Sequence, residues 1–364
     1  MPFSFTGRCV EIGGGLFVGL LAALLLQTVG FEVEGRGAAA GKQDRSLVED
    51  PPNEKKESPA TPEVNVASEE KGLVFGAIMP HGPDIILEVT KDPTLMAEIR
   101  RAMEETARRF AAARVETLVL LDPEIIHTRQ GEALTSSRSF FKGDSILSIG
   151  TAVYAGGRLG LSEERFECDT KLARAIFDAG RNAGFPVVKD AGDKDKGELP
   201  LKGGSLIPLW YSIRPLPRPR PQLVVISPST MVPREELMSF GQLIAKIAKD
   251  SGKRVALIAS ADQGHRHDKN HPRFGFSPFA AQHDALYCEA VSSNHLEKLL
   301  EISNEVLEGS FTDSFWQTLI LAGGLKAAPM DVTFFNYARP SYYGMVVATF
   351  EPHSAGKAPE LSEP

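Results

Sequence analysis

From Gly72 onward the chain alternates short, unbroken apolar runs with longer stretches of helical periodicity, and that alternation restricts its fold more than any other feature. Leu73 to Met79, Thr117 to Leu121, Leu223 to Ser227 and Arg254 to Ser260 read as buried strands, too short for helices and too continuously apolar for a sheet with one wet face. Helical periods fall between them, over Thr94 to Ala113, Cys168 to Ala183 and Arg234 to Asp250. A further strand is predicted near Ser145 to Tyr154 and further helix over Leu286 to Leu300, Glu301 to Leu307 and Phe315 to Leu321. Closing strands are predicted at Asp331 to Tyr337 and Gly344 to Phe350. Strands alternating with helices imply an α/β fold with a mixed, mostly parallel central sheet flanked by helices. A chain of 364 residues, 42% hydrophobic and 24% charged, is long enough to bury such a core.

The pattern covers one domain, residues 72–352, without internal repeat and with a short polar tail, 353–364, beyond it. Residues 31–71 form a polar linker, with Pro51, Pro52, Pro59 and Pro62 among charged and small residues, a composition that cannot bury enough apolar surface to offset ordering entropy. Within residues 1–30, Ile12 to Val29 is an apolar run that only Arg8 precedes among basic residues and that Glu11 abuts. Two readings of it stay open: a signal sequence or membrane tether, and a translated tail with no structural role.

A net charge of −7 with scattered basic residues offers polyanions no attraction, so nucleic acid is not expected as a partner. Cys9, Cys168 and Cys288 fall in no CxxC spacing, which argues against a disulfide framework or structural zinc site. A reducing, cytoplasmic location suits the main domain.

Open α/β sheets bind ligands beyond the carboxyl ends of their strands. Three polar clusters follow apolar runs there: Met79-Pro80-His81-Gly82; Asp122-Pro123-Glu124 with His127; and Ser260 to Asp268, containing Asp262, His265 and His267. Each holds residue types that bind divalent metals or transfer protons, and each also reads as an ordinary polar loop. Three histidine-bearing strand ends converging on one sheet edge carry more weight than any one of them. Asp313, before the apolar run from Phe315, reads equally as a helix N-cap and as a ligand.

The stretches AIMPHG (Ala77 to Gly82), PLKGGSLIPLWY (Pro200 to Tyr211), VALIASADQGHRHD (Val255 to Asp268) and DSFWQTLILAGGL (Asp313 to Leu325) resemble the LigB-type class III extradiol dioxygenases and their Memo-like relatives. The resemblance implies a non-haem Fe(II) centre held by two histidines and a carboxylate, acting with O2 on an aromatic diol or aminophenol, in a chain that can form homo-oligomers. It assigns His81 as the first iron ligand, His265 as the acid/base histidine with His267 beside it as a second candidate, and Asp313 as the carboxylate ligand. The family's Ser/Thr-Pro-His is here Asp122-Pro123-Glu124, so Glu124, or His127 close by, takes the second ligand position. Lys202 stands where relatives commonly carry Asp. Those departures support an alternative, a non-catalytic Memo-like binding protein with a degenerate metal site; a hydrolase using another metal is a third reading.

Overall fold

The structure, a computed structural model, describes residues 70–123, 147–150, 153–156, 161, 163–190 and 198–353. The apolar run Ile12 to Val29, almost all of the linker, the tail beyond His353, and Glu124 and His127 lie outside the described residues. No helix of the described residues is long and apolar enough to cross a membrane.

The first strand, β1 (Gly72–Met79), is buried along its whole length, as its sequence GLVFGAIM requires of a strand covered on both faces. It leads through helix α1 (Ala97–Ala112) to β2 (Thr117–Leu121), which is equally buried. Next come β3 (Leu147–Gly150), β4 (Val153–Gly156), β5 (Glu164–Phe166), α2 (Thr170–Asn182), β6 (Val187–Asp190), β7 (Glu198–Pro200) and α3 (Gly203–Ser212). The chain then runs through β8 (Gln222–Pro228), α4 (Arg234–Asp250), β9 (Arg254–Ser260), α5 (Pro278–Ser292), α6 (Asn304–Ser310) and α7 (Phe315–Ala327). It closes with the antiparallel pair β10 (Met330–Ala338) and β11 (Met345–Pro352).

Eight strands form one sheet in the order β10-β11-β1-β9-β2-β8-β3-β6. Its centre, β1, β9, β2 and β8, is parallel, and β11 and β3 join it antiparallel, so the sheet is mixed and mostly parallel as the sequence implies. The strand β5-β4-β7 set forms a separate small sheet. Adjacent residues of β1 reveal the two faces: the Phe75 ring packs edge-on against Phe110 of α1 at 5.7 Å, whereas Gly76 faces Leu321 and Leu325 of α7.

Three expectations are corrected. Ser145 to Tyr154 is not one strand: β3 joins the main sheet and β4 the small one, a change of partner that a local apolar pattern cannot encode. The helix expected over Leu286 to Leu300 instead spans α5, begun by Ser277, whose side chain accepts from Phe279 N, with Pro278 in the first turn. It ends before Asn294, which is left-handed at φ 59°, and Leu296–Glu301 forms a separate 3-10 helix. The helix expected from Glu301 starts instead at Asn304, where the Ser303 side chain accepts from Val306 N.

Helices α4 and α7 meet backbone to backbone. A Cβ on Gly241 would lie 1.9 Å from Ile320 O, and one on Gly323 1.9 Å from Met238 O. Gly241→Ala or Gly323→Ala is therefore expected to destabilise the domain by about 2 kcal/mol or more, read as a lowered urea midpoint. An unchanged midpoint would mean that the two helices do not approach so closely.

Candidate functional site

The central parallel strands deliver their carboxyl ends to one edge, and His81, Asp262 and the loop before α7 meet there. His81 follows β1 by two residues and is only 6% exposed. Its backbone N donates to Asp262 Oδ1 at 2.9 Å, and Asp262 N donates to Asp313 Oδ1 at 3.1 Å. The three residues are thus interlocked through the backbone before their charges are considered. Their side chains converge as well: His81 Nε2 lies 3.4 Å from Asp313 Oδ2 and 3.6 Å from Asp262 Oδ2. Gln317, from the first turn of α7, donates to Ser260 O at 2.7 Å and to Asp313 O, tying the helix to the end of β9.

The protonation of His81 follows from its neighbour. Ser260 Oγ donates its one hydrogen to Gly204 O, so at 2.9 Å from His81 Nδ1 it must accept, and Nδ1 carries the hydrogen. Nε2 then faces two carboxylates with a lone pair unless the ring takes a second proton. The pocket is built for one positive charge, supplied by an imidazolium proton or by a cation.

The carboxylates respond in opposite directions. Burial pushes the Asp262 carboxyl up, His81 opposes that, and Asp313 adds to it. Burial would raise Asp313 too, but attraction to the His81 ring and hydrogen bonding with it outweigh burial and hold Asp313 below its ordinary value.

A divalent metal fits the His81–Asp313 separation. Bonds of about 2.0–2.2 Å place two ligands roughly 3.0–3.5 Å apart at common coordination angles. Among the described residues no group of three or more His, Cys, Asp or Glu side chains makes up a metal site. Asp313 does not cap α7: the N-cap is Ser314, without a side-chain capping bond.

His265 sits beside this cluster, close enough to act electrostatically on both Asp262 and Asp313. Aromatic rings enclose it. Tyr343 stacks on it nearly parallel at 5.2 Å, and Phe274, Tyr342 and Phe311 lie at 5.4, 6.0 and 6.3 Å. Its Nδ1 is buried without a hydrogen-bond partner. Phe311, left-handed at φ 56°, also borders a cavity of about 600 Å³ walled by Met231, Val232, Leu307, Trp316 and Thr312, the residue before Asp313.

His267 belongs to a different network. Arg339 can only donate to His267 Nδ1, at 3.0 Å, so Nε2 carries the hydrogen and donates to Asp284 Oδ2 at 2.9 Å. Asp284 also accepts from Tyr337 Oη at 2.8 Å, His283 Nδ1 at 3.1 Å and Gly264 N at 2.8 Å, next to His265. Burial would raise this carboxyl, but the hydrogen bonds from His267 and His283 win and bring it down to about 2. His283 is fully buried.

Of the residues singled out from sequence, His81, Asp313 and His265 come together, His267 is engaged elsewhere, and Glu124 and His127 lie outside the described residues. Asp122 is buried with its carboxylate held by Ser205. Lys202 is the N-cap residue of α3, without a side-chain capping bond. Sequence reasoning gave Asp262 no role, although it stands two residues past a buried strand, as His81 does.

The family model for the catalytic LigB subunit of aromatic ring-opening dioxygenase matches residues 76–348. Among solved structures, the chain is similar to an uncharacterized protein of Escherichia coli K12, at 13% identity and a TM-score of 0.46, over 76% of this chain and 99% of that one. No curated protein matches the chain.

Asp284→Ala leaves four donors without their acceptor and is expected to cost about 3–5 kcal/mol in chemical unfolding at neutral pH. Because the folded carboxyl is depressed, its contribution is complete above the ordinary carboxylate range and fades as pH falls toward about 2. The gap between wild type and variant should therefore narrow in acid. A constant gap from pH 7 to pH 2 would contradict an ionised Asp284.

Proposed function

The chain belongs to the family of the catalytic LigB subunit of aromatic ring-opening dioxygenases, and from that premise we propose that it opens a catechol- or aminophenol-type ring with O2 at an Fe(II) held by His81 and Asp313. The observation that carries the reading is the buried His81 Nε2, 3.6 and 3.4 Å from the carboxylates of Asp262 and Asp313, where a positive charge relieves the clustered acidic groups. Glu124 or His127 completes the ligand set. The chain enters their segment from the end of β2, where Leu121 pairs with Ala259 beside the other ligands.

When bound, Fe(II) supplies Lewis acidity toward a ring hydroxyl and electron exchange with O2. The chain's own residues do the rest. Ser260 fixes the His81 ring so that Nε2 points into the site. Asp262 anchors the His81 backbone and fixes Asp313 through its own N–H. His265 takes a proton from a ring hydroxyl and returns it as the ring opens, a task suited to an imidazole between carboxylates and aromatic rings. The rings around it restrict water, and the adjoining cavity holds the substrate's substituents.

Two variants separate the roles. His81→Ala is expected to abolish Fe(II) binding in anaerobic titration. His265→Gln should bind Fe(II) like wild type but consume O2 with catechols or aminophenols about a hundredfold more slowly or less. Wild-type protein that binds Fe(II) yet consumes no O2 with any such ring would favour a binding protein over an enzyme.

A further inference from the structure

Tyr343 lies between β10 and β11 and is 3% exposed, yet among the described residues no group hydrogen-bonds its hydroxyl. Other buried or half-buried tyrosines do better: Tyr287 Oη is 2.7 Å from Thr318 Oγ1, Tyr337 Oη donates to Asp284, and Tyr211 Oη donates to Ile85 O at 3.0 Å. A tyrosine with its ring buried normally finds its hydroxyl a partner. The Tyr343 hydroxyl is not enclosed either; unlike the sealed, unpartnered His265 Nδ1, it keeps accessible surface.

Its position is fixed from three sides. The ring stacks on His265 with the planes only 6° apart. The hydroxyl presses on the residue after His81, since a Cβ on Gly82 would lie 2.0 Å from it and 2.6 Å from Met345 Cε. That close approach gives the glycine of Pro80-His81-Gly82 a physical reason. Behind the ring, Gly344 N donates to Gly264 O at 3.1 Å and Gln263 N to Gly344 O at 3.0 Å, which locks the tyrosine to the segment carrying His265. Burial, then the charge of Asp262, raises the phenol well above its ordinary value, so the group remains a donor.

We propose that Tyr343 contacts substrate, its hydroxyl donating a hydrogen bond to an oxygen of a hydroxylated ring bound between His81 and His265. This rests on the ring-opening reading. Tyr343 then recognises the ring's oxygen pattern, while the cavity beside Phe311 selects what the ring carries.

The test uses the full chain loaded anaerobically with Fe(II) and titrated with 4-nitrocatechol, whose colour changes on binding, in wild type and Tyr343→Phe. The variant keeps the stacked ring and loses only the hydroxyl, and its thermal midpoint and Fe(II) affinity are measured alongside. The expected result is a Kd for 4-nitrocatechol raised about tenfold, with Fe(II) affinity and thermal midpoint unchanged. Equal Kd values would overturn the contact and leave the ring-opening reading standing. A loss of Fe(II) affinity in the variant would make Tyr343 a support of the metal site instead, which also overturns it. Failure of the wild type to bind the catechol would overturn both the contact and the reading beneath it.

Discussion

Two carboxylates and an imidazole, all buried, share one small volume at the edge of this sheet. Burying a charge is expensive unless it is paired, and two carboxylates this close cannot both stay ionised without a positive partner. Here the His81 ring stands between them, attracting the Asp313 carboxylate and hydrogen-bonding with it. The backbone bonds from His81 to Asp262 and from Asp262 to Asp313 hold that arrangement in place, so relaxing the electrostatics by moving one side chain would break the connection between β1, β9 and the start of α7. The hydrogen bonds thus keep the three buried groups together in spite of their charges.

The rest of the domain serves that rigidity. Parallel strands with no polar side chain in their centres cannot shift register without exposing apolar surface. The glycine contacts between α4 and α7 press α7 close to the sheet, and Gln317 carries its position to Ser260 and Asp313. A second anchor, Asp284, receives bonds from four directions and holds Gly264, the residue before His265. His81 with Asp313, and the segment carrying His265, are thus held by separate networks, one centred on Asp262 and one on Asp284.

Much of this was legible from sequence because it depends on local pattern. The buried strands reveal themselves as continuous apolar runs, and β2, α4 and β9 run where the periodicity puts them. His81, His265 and Asp313 stood out as polar residues at strand or helix ends. What sequence could not show depends on partners far along the chain. Asp262 is one member of a polar stretch in the sequence, and its place is set by His81 and Asp313, 181 and 51 positions away. His267 looks equivalent to His265, and only Asp284 and Arg339 reveal its different employment. Tyr343 carries no signal in the sequence, and only the structure places its hydroxyl beside Gly82. The split between β3 and β4 was hidden for the same reason, since pairing partners leave no mark on the local sequence.

The proposed function requires that His81 and Asp313 share one cation. Anomalous diffraction at the iron edge, from crystals soaked anaerobically in Fe(II), tests it most directly. A peak is expected at about 2.0–2.2 Å from both His81 Nε2 and Asp313 Oδ2. Iron bound elsewhere, or no iron bound at all, would contradict it.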